Sequence, residues 1–490
     1  MKTLIHACAQ AGIAEWVACL GTQNPELIDA LQQCPVFDFW SLDEEATAAA
    51  FALGRCQITT RPVALLTHSP EARAAILPMV QEAYHQGRPL LVISTEGLDD
   101  APCEEPDIFE GYAESLTLTL PSALTELTAL QDLLREGSPV FLRLQGSAYL
   151  NGSVEEIQLA EPPTPPAFRA SLVALSQMLR FHAHEGLVLI MGGLELSEQE
   201  PALWLAQTLR VPVLAEAASG LREELSDMGL FMGDVILKQM PPRYVLRLGD
   251  VPTGAFWQDL ESLPQTEVFS ITRSGFAGLQ RDSHVIEGDL EQIMKAVGDI
   301  PHLYLEESLM SRSRRLAAGV EELLLRFPES EAGLLHAFSL QACIADMIGL
   351  AGASMRDAWN KLAQTQIPTV YVRYLNHSQR GHISCFLGNS IGAGAAYCLS
   401  DVDSLMNDAD AVGLLPQLRG GKRVIAVMGG KDGGFSLPDV GQRWGAQYFY
   451  IHCEADFDVL DDLEDDALVL LEIQADPDQT AAFEAALARL

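Results

Sequence analysis

Pro62-Val-Ala-Leu-Leu-Thr-His68, a helical stretch, then Pro89-Leu-Leu-Val-Ile-Ser-Thr-Glu96: two short apolar runs flank one amphipathic segment. Each run is too short for a helix and is opened by a proline. Runs with no polar face are what buried parallel strands covered by crossover helices require. The same unit recurs outward in both directions, at Ser138–Gly146, Gly186–Gly193, Val211–Ala217, Tyr244–Asp250, Thr266–Thr272, Pro368–Leu375, Lys422–Gly430, Ala446–Glu454 and Ala467–Ile473. The pattern predicts an α/β protein built on mainly parallel central sheets.

Two breaks divide the series. Glu161-Pro-Pro-Thr-Pro-Pro166 is stiff and extended and cannot continue a helix or a central strand. A second break, Phe327-Pro-Glu-Ser330, follows a long helical stretch. Three domains are expected, at 1–160, 167–325 and 329–490, in keeping with a length of 490 residues. The acidic stretch Ser400–Gly421 reads as an insertion or long loop before the strand at Lys422.

The formal charge is −36, from 67 acids against 31 bases. Nucleic acid and anionic membranes attract clustered positive charge, so neither is an expected partner. No apolar run is long enough to span a bilayer. Met1–Gly21 reads as the first helix of a domain, with Glu15 interrupting its apolar stretch, rather than as a targeting signal. The nine cysteines are scattered without a CxxC pair, which fits reduced thiols and a cytoplasmic protein.

The stretch Phe39-Trp-Ser-Leu-Asp-Glu-Glu-Ala-Thr-Ala-Ala-Ala-Phe-Ala-Leu-Gly54, with the strands that open at Pro62 and Pro89, resembles the pyrimidine-binding domain of thiamine diphosphate enzymes. Within that superfamily the chain is most similar to 2-succinyl-5-enolpyruvyl-6-hydroxy-3-cyclohexene-1-carboxylate synthase, a menaquinone-pathway family. Val211-Pro-Val-Leu-Ala-Glu-Ala-Ala-Ser-Gly-Leu-Arg222 resembles that family's PLLAEPTSGLR, and Gln379-Arg380-Gly381 its N-R-G. The likeness runs in order along nearly the whole chain.

The resemblance implies a site. Counting back from Gly54 places the family's glutamate on Glu45. A carboxyl at that position supports the imino tautomer of the cofactor's aminopyrimidine through N1′. Read without the family, Glu45 is one of three acids, with Asp43 and Glu44, that would complement a helix dipole. Ser69-Pro70-Glu71 stands where the family has S-G-T near the cofactor, which leaves Ser69 as a cofactor-side residue. The diphosphate and Mg²⁺ motif falls in Val424-Ile-Ala-Val-Met-Gly-Gly-Lys-Asp-Gly-Gly-Phe435. In one register the metal aspartate falls on Gly430 and is lost. In the other, Asp432 ligates the metal, with Gly429, Gly430, Gly433 and Gly434 lining the diphosphate. Glu454 stands where a second ligand is expected, or simply ends a strand. Arg380 and Arg356 align with substrate-side arginines.

Other family arginines are replaced, by Gln23 and Gly97. Two readings follow. The first is an enzyme that binds thiamine diphosphate and Mg²⁺ between the first domain of one subunit and the last domain of another, as a homodimer or homotetramer. It would decarboxylate a 2-oxo acid and join the carbanion to an acceptor. The second is a degenerate paralogue without a cofactor, which keeps the fold as a binding or structural protein.

Three further signals are weaker. His182 and His184 diverge on a helix and are expected to end it. Gly388-Asn-Ser-Ile-Gly-Ala-Gly394 suits either a diphosphate approach or close helix packing. Thr67-His68-Ser69 lacks the acidic orienter of a hydrolase triad.

Overall fold

The computed structural model describes residues 2–19, 25–59, 61–98, 107–120, 124–146, 157–161, 168, 171–303, 305–345, 347–352, 355–362, 372–374, 380–429 and 436–490. Three sheets, parallel throughout their described pairings, carry the fold. The first contains β1 (Glu15–Cys19), β2 (Asp38–Leu42), β3 (Val63–Thr67), β4 (Leu90–Leu98), β5 (Glu114–Leu120) and β6 (Val140–Gly146), in the order β2-β1-β3-β4-β6-β5. The second contains β7 (Leu187–Met191), β8 (Val213–Ala215), β9 (Tyr244–Leu248), β10 (Glu267–Thr272) and β11 (His284–Glu287), in the order β11-β10-β9-β7-β8. The third contains β12 (Ile348–Ala351), β13 (Val372–Tyr374), β14 (Ala395–Asp401), β15 (Lys422–Met428), β16 (Gln447–Ile451) and β17 (Leu468–Ile473), in the order β13-β12-β14-β15-β17-β16.

Renumbered from its own first strand, the third sheet has the strand order of the first. The two are copies of one plan, a relationship the sequence does not display.

The continuous apolar runs are explained by burial on both sheet faces. Every residue of β1, β3, β7 and β9 is buried. In the first sheet, alternate residues Trp16, Ala18, Ala64, Leu66, Leu91 and Ile93 pack in one core with Leu4, Ile5 and Leu31 of covering helices. The intervening residues face the other way.

The chain forms two compact units. One comprises Met1–Pro166, His377–Ile391 and Ser404–Arg419; the other comprises Ala167–Asn376, Gly392–Asp403 and Gly420–Leu490. In the first unit the helix Glu45–Ile58 packs along the short helix His382–Asn389, all of whose residues are buried. Two glycines set the spacing. A Cβ on Gly54 would lie 2.1 Å from the Cys385 carbonyl oxygen, and one on Gly388 would lie 2.5 Å from that of Phe51. Gly388 therefore serves helix packing.

Two expectations are corrected. Met1–Gly21 is not one helix: Lys2–Gln10 is helical, and Glu15 lies in β1. An acid is accommodated there because the Arg55 guanidinium meets it twice, Nε to Oε2 at 2.7 Å and an Nη to Oε1 at 2.8 Å. Ser400–Gly421 is not a loop: it holds the end of β14, a helix Val402–Met406 and a 3-10 stretch Ala409–Gln417. Asp408 within it is buried and accepts from the Ser384 amide at 2.6 Å and hydroxyl at 2.7 Å. Both residues lie within the first unit, whose parts 377–391 and 404–419 these bonds join. The stretch at His182–Glu185 does end a helical segment before β7, as read from the sequence.

Candidate functional site

The strand order of the first sheet creates a switch point between β1 and β3. From β1 the chain passes outward to β2, then returns to β3 on the other side of β1. Ligands of open α/β sheets bind outside the carboxyl ends of the strands at such a switch point. Cys19 ends β1, Thr67 ends β3 and His68 follows it. The helix Glu45–Ile58 connects β2 to β3 and begins at this same edge.

The three consecutive acids there behave differently. Asp43 is exposed. Glu44 caps the helix, its Oε2 accepting from the Thr47 amide at 2.6 Å. Glu45 is turned into the edge, its side chain 14% exposed. Both of its carboxyl oxygens are buried and accept no well-aligned hydrogen bond among the described residues, although the Cys19 thiol stands close enough to interact with the carboxyl. His68 Nδ1 stands 3.2 Å from Glu45 Oε1, within ion-pair range but outside hydrogen-bond alignment. Burial pushes the Glu45 carboxyl above the ordinary range; His68 and the Cys19 thiol draw it part of the way back, and Glu44 pushes it up. Burial, reinforced by Glu45, raises the Cys19 thiol to about 12, so the thiol stays neutral.

Ser69 lies at the same edge, but its hydroxyl caps the helix Pro70–His85 by accepting from the Ala72 amide at 3.0 Å. Arg380 is exposed in the first unit. Gly381 beside it has φ +76°, and a Cβ there would meet that of Ala50 at 2.5 Å. The Arg-Gly pair thus lets the chain pass close to the Glu45–Ile58 helix. Gly97 lies in β4 beyond a register shift, opposite Gln145. Gln23 lies outside the described residues.

In the second unit, Gly429 follows β15 with φ +75°, and a Cβ there would meet nothing within 4 Å. Gly430, Asp432, Gly433 and Gly434 lie outside the described residues. Glu454 follows β16 at the same carboxyl edge of the sheet, exposed, with β17 between β15 and β16. Beside it His452, Cys453 and Asp456 bring ligand-type atoms within 4.8 Å of one another. Asp456 Oδ2 is already engaged by the amides of His452 at 2.8 Å and Cys453 at 3.1 Å, which makes the group a turn cap. Arg356 opens the helix Arg356–Leu362, half-buried.

The second sheet has its own switch point, between β7 and β9, and protein fills it. A Cβ on Gly192 would fall 2.2 Å from the Asp250 carbonyl oxygen. Arg273 there meets Glu198 at 2.6 Å, Asp250 at 3.0 Å and Glu195 at 3.1 Å.

Sequence reasoning found Glu45 through the family pattern but missed its neighbours. His68 was weighed only as part of a hydrolase triad. The available signal was its position, one residue beyond a strand that borders the switch point.

Comparison with known proteins bears on the same edge. Residues 1–97 match the family described as thiamine pyrophosphate enzyme, N-terminal TPP binding domain. A 2-succinyl-5-enolpyruvyl-6-hydroxy-3-cyclohexene-1-carboxylate synthase of Akkermansia muciniphila is 39% identical over 530 aligned positions, covering 100% of this chain and 98% of its own. The Bdellovibrio bacteriovorus protein of that name is 26% identical, covering 87% and 84%. Among solved structures, a putative thiamin diphosphate-dependent enzyme from Mycobacterium smegmatis superposes with a TM-score of 0.69 at 14% identity. Benzoylformate decarboxylase from Polynucleobacter necessarius gives 0.70 at 12%. Each covers 97% of this chain and 98% of its own, a likeness of fold.

Proposed function

The chain belongs to the 2-succinyl-5-enolpyruvyl-6-hydroxy-3-cyclohexene-1-carboxylate synthase family of thiamine-diphosphate enzymes, and on that premise we propose that it is an active member. It would decarboxylate a 2-oxo acid and join the remaining fragment to an acceptor. The observation that carries this reading is Glu45: a buried carboxyl at a switch point, with His68 in ion-pair range but neither oxygen accepting a well-aligned hydrogen bond among the described residues. A buried carboxyl with incomplete hydrogen bonds costs free energy unless something completes them. The ring nitrogen of an aminopyrimidine has the chemistry to do so, so the residues present fit that half of the cofactor.

Thiamine diphosphate, when bound, supplies the nucleophilic carbon that attacks the 2-oxo acid and accepts the electron pair left by loss of CO₂. Glu45 holds or releases the proton at N1′, and burial raises its affinity for that proton. The neutral Cys19 thiol adds no charge beside it. Asp432 and Glu454 are assigned to Mg²⁺, Gly429, Gly430, Gly433 and Gly434 to the diphosphate, and Ser69 to the cofactor edge. Arg380 and Arg356 are assigned to substrate carboxylates, whose paired oxygens match a guanidinium. Domain boundaries near 161–166 and 326–330, and a homodimer or larger even assembly, complete the reading.

Calorimetric titration with thiamine diphosphate and Mg²⁺ tests it. Saturable binding by the wild type is expected. Glu45→Gln should keep that binding within a few-fold and lose turnover by about two orders of magnitude or more. Absence of binding by the wild type would sink the proposal and leave the degenerate, non-catalytic paralogue, the reading suggested by Gln23 and Gly97 where the family has arginine.

A further inference from the structure

Resting on the reading of Glu45 as the cofactor-facing carboxyl, we propose that His68 is its positioning residue: the imidazole holds the Oε1 side of the carboxyl, leaving Oε2 for the ligand. The geometry begins in the sheet. β1 and β3 are parallel neighbours, so Cys19 and His68 emerge at the same edge. The first turn of the Glu45–Ile58 helix lies at that edge, and it brings Oε1 to 3.2 Å from His68 Nδ1. The two side chains are 14% and 24% exposed, so solvent screens their interaction little.

The charges that face Glu45 can be taken element by element. From β1 comes the Cys19 thiol, which is neutral. From the helix start comes Glu44, a like charge already engaged in capping. Asp43, on the same turn, is exposed and also negative. From the end of β3 comes His68, the one group of these that can carry positive charge. An ionised carboxylate left alone in this edge would be poorly solvated, and an imidazolium there would be too. The imidazole beside Oε1 offsets part of the burial that raises the carboxyl. Oε2, which accepts no well-aligned hydrogen bond among the described residues, then faces the aminopyrimidine.

The test uses the full chain without cofactor. Infrared difference spectra between the wild type and Glu45→Gln, taken across pH, isolate the protonated Glu45 carboxyl. His68→Asn keeps an N–H near the Nδ1 position but removes the charge. It should move the Glu45 midpoint upward by roughly one to three pH units, the usual effect of losing an opposite charge at this distance. His68→Ala should do the same, and imidazole added to the buffer should bring the midpoint back. With cofactor and Mg²⁺ present, the His68→Asn optimum should move in the same direction. An unchanged midpoint in both variants overturns the proposal, as does a shift that imidazole does not reverse. Should Glu45→Gln keep full turnover, the reading of Glu45 fails instead, and the infrared result still decides the His68 pairing.

Discussion

Gly54 and Gly388 meet where the helix Glu45–Ile58 crosses the helix His382–Asn389, so closely that a Cβ on Gly388 would lie 3.2 Å from the Gly54 Cα. The atoms in the way are backbone, which cannot swing aside as a flexible side chain would. Gly54→Ala should therefore destabilise the protein by about 3 kcal/mol or more, the upper range for overpacking. Gly413→Ala, where a Cβ meets nothing within 4 Å, is the control. Urea unfolding of both variants checks this, and equal midpoints would refute it.

The Arg55–Glu15 pair gives a second prediction. Removing the guanidinium leaves a carboxylate buried without its counter-charge, at a cost of about 3–5 kcal/mol. Replacing both residues with apolar ones should recover much of that, because the desolvation of two charges is no longer required. Recovery should stop short of wild type, since Arg55 also donates to the carbonyls of Gly388 at 3.0 Å and Ile391 at 3.2 Å. Each lost bond is worth about 1 kcal/mol. A double-mutant cycle by chemical denaturation measures the coupling.

Stability should depend on pH through two buried acids. Burial raises Glu216 from 4.5 to about 7 and Asp408 from 3.8 to about 6. Glu216 Oε1 accepts from the Thr253 amide at 2.6 Å and hydroxyl at 2.8 Å and from the Gly254 amide at 3.0 Å, an arrangement a neutral carboxyl can keep. A folded-state value above the unfolded one means the folded chain holds the proton more tightly. The contribution is full below about pH 4 and is lost as pH rises through 6 and 7. It is on the order of 3 kcal/mol for each group. Glu216→Gln and Asp408→Asn together should flatten the decline of the melting temperature between pH 4 and 8. A variant with the wild-type slope would contradict the assignment.

At the cofactor, binding and turnover should separate. Asp432→Ala should abolish Mg²⁺-dependent affinity for thiamine diphosphate, because the metal and diphosphate dominate binding. Glu45→Gln should do the reverse, sparing affinity. Equilibrium dialysis for one and steady-state turnover for the other distinguish the two. If Asp432→Ala binds as the wild type does, the register that places the motif on Gly430 is favoured.

Much of the fold was legible because both faces of these sheets are covered: β3, β7 and β9 read directly as apolar runs. β2 was harder to see, since it is an edge strand, Asp38–Leu42, in which only Leu42 is fully buried. Glu15 misled because its charge is neutralised by Arg55, 40 residues away, a pairing no local pattern encodes. The site was legible only through the family resemblance. Asp43, Glu44 and Glu45 are chemically near-equivalent in a string of letters. They differ only once helix geometry sends one to solvent, one to a cap and one into the switch point. His68 was hidden for the same reason: its partner comes from another crossover.

The segments 377–391 and 404–419 complete the first unit although more than two hundred residues separate them from Pro166. A ribosome adds roughly 5–20 residues per second, so the amino-terminal sheet waits on the order of ten seconds or more for the helix that buries Gly54. During that interval Ala50, Gly54 and Gln57, which meet Gly381, Cys385 and Asn389, stand uncovered on a nascent chain. The same arrangement makes any truncation before residue 391 a lesion of the first sheet as well as of the third.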